Sequence, residues 1–64
     1  MSSWKKIYAM IMVEKIPFKF YDLEGIDTFE IEFEPLIIQC TQGGYLVNGI
    51  SMSYEEIKSI IKGL

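Results

Sequence analysis

The sequence predicts an α+β fold: a small, curved antiparallel sheet of four to five strands with one C-terminal helix packed on it, all within a single domain over residues 1–64. Three observations lead there. Apolar and charged residues alternate from Thr28 to Glu34, the period of a half-buried strand. Gly43-Gly44 interrupts two β-rich runs, and glycine accepts the positive φ that a two-residue hairpin turn requires. Ser53 and Glu56 form an S-x-x-E capping box, in which each side chain satisfies a backbone N–H at a helix start.

Taken in order, Met1 to Ser3 is a polar beginning expected to fray. The run from Trp4 to Val13 is almost unbroken in its apolarity and so hides its period. Strand is favoured over about residues 6 to 13, because helix-favouring Ala is scarce and Glu14-Lys15-Ile16-Pro17 breaks the run. A helix with Trp4, Ile7, Tyr8 and Ile11 on one stripe is the alternative. Next, Phe18, Phe20 and Leu23 alternate with Lys19 and Asp22 as a short strand after Pro17, and Leu23-Glu24-Gly25 turns. In the strand from Thr28 to Glu34, Phe29, Ile31 and Phe33 face inward while Glu30, Glu32 and Glu34 face water. Pro35, which has no N–H for a ladder, makes a corner into the hairpin.

A Gly43-Gly44 turn sets Cys40 opposite Val47 and Thr41 opposite Leu46. One hairpin face then carries Leu36, Ile38, Cys40 and Val47, and the other carries Ile37, Leu46 and Ile50. A turn at Gln42-Gly43 would re-pair all of them. Asn48-Gly49 is a second turn signal, leading Val47 to Ile50. In the terminal helix, Tyr54, Ile57, Ile60, Ile61 and Leu64 form the apolar stripe, Met52 is placed to staple onto Ile57, and Gly63 ends it. A helix of about ten residues is marginal alone, so its stripe must dock on the sheet.

Bulk composition limits function more than it defines it. Half the residues are hydrophobic and nine are aromatic, in a chain too short to hide so much apolar surface. Self-association is expected on that ground. With one cysteine and no histidine there is no internal disulfide and no zinc cluster, and no cofactor or metal site is expected. The longest apolar run, Ile7 to Val13, is far below the ~20 residues of a membrane span, so no signal peptide and no membrane contact are expected, and the expected location is cytoplasmic. Six lysines against nine acids, with no arginine, argue against direct nucleic-acid binding. Eleven isoleucines against one alanine suggest an AT-rich genome, such as a low-GC bacterium, its phage or an archaeon.

Two constellations are candidates for contact with a partner. Asp22, Glu24, Asp27, Glu30, Glu32 and Glu34 form an acidic cluster. In strand geometry Glu30, Glu32 and Glu34 would lie ~7 Å apart, near phosphate spacing, and could enter a basic groove; they also serve as a solvated face that discourages edge aggregation. Among the aromatic residues, Tyr21 on the Lys19 face and Tyr45 at the lip of the turn are expected to be exposed anchors. With Ile37, Leu46 and Ile50 on the second hairpin face, these make the expected partner-binding set. Cys40 has no histidine to deprotonate it and reads as a small core residue. No catalytic residue is expected, since no histidine is available as general base and no hydroxyl or thiol has a partner base in view. The sequence therefore points to a non-enzymatic, small acidic protein-binding module, of the kind a phage or mobile element uses to inhibit or redirect a host enzyme in the host cytoplasm. A homo-oligomeric structural subunit and a nucleic-acid mimic built on the Glu row are the alternatives.

Overall fold

The computed structural model describes residues 4–64, so the expected fraying of Met1 to Ser3 lies outside the described residues. Helix α1 (Trp4–Val13) leads into five strands, β1 (Phe18–Leu23), β2 (Ile26–Ile31), β3 (Leu36–Thr41), β4 (Gly44–Val47) and β5 (Ile50–Met52), and helix α2 (Tyr54–Lys62) closes the chain. The strands form one antiparallel meander in the order β1-β2-β3-β4-β5, with β1 and β5 at its edges. This is an α+β fold, with a second helix in place of an expected strand.

The residues from Trp4 to Val13 are helical, which corrects the strand favoured for residues 6 to 13. Ile7, Met10 and Ile11 recur at helical spacing and are buried. The helix stop escapes a sequence reading because it uses no glycine. Lys15 takes the left-handed conformation at φ 57°, its N–H donates to the Met12 carbonyl at 3.1 Å, and the Ile16 N–H donates to the Ile11 carbonyl at 3.4 Å. That is a Schellman ending, in which Ile16 folds back onto the core just ahead of Pro17.

Helix α2 starts where expected, although at its far end Leu64 is exposed and Gly63 keeps a right-handed φ of −86°. Ser53 Oγ accepts from the Glu56 N–H at 3.2 Å, and Glu56 Oε1 accepts from the Ser53 N–H at 2.9 Å, so both halves of the capping box are present. Ile57 and Ile61 are its buried residues.

The hairpin pairs Cys40 with Tyr45 and Thr41 with Gly44, so its turn is Gln42-Gly43 and not Gly43-Gly44. The Thr41 hydroxyl donates to the Gly44 carbonyl at 3.0 Å and Gly44 takes φ 137°, which together fix this register. Moving the turn by one residue moves the pairing by two. Side chains alternate with period two, so Leu36, Ile38, Cys40 and Val47 still share one face, and Ile37 and Leu46 the other. Ile50 is different: it pairs with Val47 across the Asn48-Gly49 turn, whose residues take φ 51° and 83°, and so belongs to the Val47 face.

Strand β2 ends at Ile31 rather than Glu34, and residues 32 to 35 form a turn. Phe33 is consequently not a core residue but 55% exposed. Leu23 also departs from expectation. It pairs with Ile26 and lies on the face opposite Phe18 and Phe20, because Phe18 and Phe20 oppose Ile31 and Phe29.

Both helices cover the same face of the sheet. Phe29, Ile31, Ile38, Cys40 and Val47 from the strands meet Ile7, Met10, Ile11, Ile57 and Ile61 from the helices in one core. An aromatic stack runs along its β1 side: Trp4 lies on Phe20 at 5.1 Å, and Phe20 on Phe29 at 4.5 Å. The opposite face carries no helix.

Candidate functional site

The uncovered face is assembled by the strand registers. Tyr21, Thr28, Gln39, Leu46 and Ser51 line up across all five strands, beside a shorter row of Lys19, Glu30 and Ile37. Leu23 and Ile26 add apolar area at the β1–β2 turn, Ile37 is 39% exposed and Leu46 is half-buried. The face is therefore a mixed surface, in which the aliphatic side chains Leu23, Ile26, Ile37 and Leu46 stand among polar ones.

Its polar groups are held in place. The Tyr21 hydroxyl donates to Glu30 Oε1 at 3.3 Å, across the β1–β2 pair. Desolvation, the hydrogen bond to Glu30 and the charge of that carboxylate push the Tyr21 hydroxyl above the ordinary tyrosine pKa, so the phenol keeps its proton. Thr28, at the centre of the face, is fully buried by its neighbours and donates to the Ile26 carbonyl at 3.0 Å. The end of the face near Ile37 is pinned by Asn48, whose side chain accepts from the Ile37 N–H at 2.8 Å and donates to the Pro35 carbonyl at 3.0 Å.

Of the residues expected to bind a partner, the structure brings Tyr21, Glu30, Ile37 and Leu46 onto this face. The others are elsewhere. Tyr45 pairs with Cys40 on the helix-covered face, and its ring lies 6.5 Å from that of Tyr54 of α2, so it is not an anchor at the turn lip. Ile50 is exposed, but at the β5 edge of the covered face. Glu32 and Glu34 sit in the turn after β2, so the three carboxylates do not stand at alternate positions of one strand. Leu23 and Ile26 were missed. Their signal is parity: both share the alternation of Tyr21 and Thr28.

Cys40 is buried on the covered face, and burial, together with the Asp27 carboxylate, raises its thiol to about 11, far from a nucleophile's range. Among the described residues no group of three or more Cys, Asp or Glu side chains could hold a metal ion. Nor is any helix among them long and apolar enough to cross a membrane. No family model, curated protein or solved structure matches the chain.

Proposed function

We propose that this chain is a small, acidic, non-catalytic protein-binding module that captures another protein on the open face of its sheet. The observation that carries the proposal is the one-sided placement of the helices. With α1 and α2 both on the Phe29–Ile38 side, no helix among the described residues covers Leu23, Ile26, Ile37 and Leu46. A pre-formed second face that carries aliphatic side chains suits docking with little ordering cost. The isoleucine-rich composition and net charge of −3 fit a phage or mobile-element protein acting in a host cytoplasm, where it would inhibit or redirect a host enzyme by direct contact.

A homo-oligomeric structural subunit is the second reading, and the exposed Met12, Val13, Phe33 and Ile50 favour it over a free monomer. The nucleic-acid mimic draws less support, because its row of carboxylates is broken at Ile31.

Leu46→Glu tests the first reading, since it places a charge in the middle of the open face, where an unpaired charge is costly to bury. The variant should remain folded, because Leu46 is only half-buried and its new carboxylate can reach water. Bait experiments in lysate of the source cell, with wild type and variant side by side, should show a specific partner retained by the first and lost by the second. A partner retained equally by both would remove the open face from the proposal.

A further inference from the structure

We propose that the groove between α1 and α2 receives the Glu32-Phe33-Glu34 turn of a second copy of this chain. The groove lies on the far side of the molecule's helical layer from the open sheet face, and has a volume of about 390 Å³. Ala9, Met10, Val13 and Tyr54 give it apolar walls, while Lys6, Lys58 and Lys62 stand around it against a single acid, Glu14. Lys6 is already poised by Tyr54, with Nζ 4.2 Å from the ring centroid. On a chain of net charge −3, this is a concentration of positive charge: five of the six lysines precede β1 or follow β5, and six of the nine acids lie between residues 22 and 34.

The chain also carries the complementary shape. Phe33 is a large apolar side chain, 55% exposed, set between two carboxylates. Its turn is braced rather than loose, because the Glu32 N–H donates to the Pro17 carbonyl at 3.3 Å and the Leu36 N–H to the Glu34 carbonyl at 2.7 Å. An aromatic ring flanked by acids matches an apolar slot flanked by lysines in both polarity and sign. Such an arrangement sets the orientation of docking as well as drawing the partners together. Knob and groove are different surfaces, so copies join either reciprocally, in a two-fold pair, or head to tail. This contact is separate from the open-face reading and stands or falls without it.

Two variants and their mixture provide the test. Phe33→Ser with Glu32→Lys and Glu34→Lys removes the knob and leaves the groove; Lys6→Glu with Lys58→Glu and Lys62→Glu reverses the groove and leaves the knob. All six positions are at least partly exposed, so each variant should fold, which circular dichroism checks. In sedimentation runs from micromolar to millimolar concentration, wild type should self-associate and weaken as salt rises. Each variant alone should lose roughly tenfold or more in association constant. Mixed together, they should regain a one-to-one complex, because one supplies the knob and the other the groove. Leu46→Glu serves as the control and should associate like wild type. The proposal is overturned if wild type stays monomeric throughout, if either variant associates as wild type does, or if the two folded variants fail to complement each other; association lost only in Leu46→Glu would assign self-contact to the open sheet face.

Discussion

On the helix-covered side of the sheet, Phe29, Ile31, Ile38, Cys40 and Val47 are sealed from water; at intervening positions of the same strands, Glu30, Ile37 and Leu46 remain in contact with it, although Thr28 between them is sealed. The two sides share backbone, twist and hydrogen bonds, so the difference comes from what lies over them. Ten helical residues at one end and nine at the other both pack on one side. The first side holds the fold together, and the second keeps aliphatic side chains in contact with water. A small domain can seldom spare apolar surface in this way, since it buries only about 60% of what its unfolded chain exposes.

Acidity offers the first means of sharpening this contrast. Cys40 sits on the covered side with a pKa raised from 9.0 to about 11. A raised acid pKa means that the folded state keeps a proton the unfolded state releases, so stability is full below pH 9 and falls as pH climbs from 9 to 11. The loss assigned to this thiol is at most about 3 kcal/mol. Urea titrations of wild type and Cys40→Ala across that window should show the steeper decline in wild type. Parallel slopes would mean that water reaches the covered side.

A smaller effect tests whether α2 is held by its own cap as well as by the sheet. Ser53→Ala removes the hydroxyl that accepts from the Glu56 N–H and should cost about 1 kcal/mol. In a domain of this size the midpoint should drop by roughly 4 to 8 °C. A calorimetric scan with no shift would show that the cap adds nothing to the docking of Ile57 and Ile61.

How much of this was legible depended on whether the local signal was chemical or merely apolar. α2 announced itself, because Ser53 and Glu56 must be three residues apart for each to reach the other's backbone N–H. α1 did not: its run of Ile, Met and Val fits either period, two lysines stand in its first turn where the macrodipole disfavours them, and its stop is a left-handed Lys15. The sheet shows the same split. Face membership of Ile37, Ile38, Cys40, Leu46 and Val47 was readable because it depends on parity, whereas the register depended on a Thr41 hydroxyl bond that no glycine pair reveals. Glu30, Glu32 and Glu34 misled because alternation continued past the point where the strand stopped; Phe33 looked like core for the same reason. The apolar patch was anticipated through Ile37 and Leu46. Its one-sided exposure needed knowledge of where α1 packs, and that is a tertiary fact.

Ile37 and Ile38 are chemically identical neighbours on β3, 39% and 0% exposed, and they test the asymmetry of the sheet most directly. Ile37→Lys puts a cation opposite Glu30 on the open face, a favourable cross-strand pair, whereas Ile38→Lys drives the same cation into the core against Phe29. Thermal melts of the two variants, followed by circular dichroism, decide the matter. The predicted result is a midpoint within about 8 °C of wild type for Ile37→Lys and no cooperative transition at all for Ile38→Lys. If both variants unfold, or if Ile38→Lys is the one that survives, the sheet has no open face and the proposed docking surface is wrong.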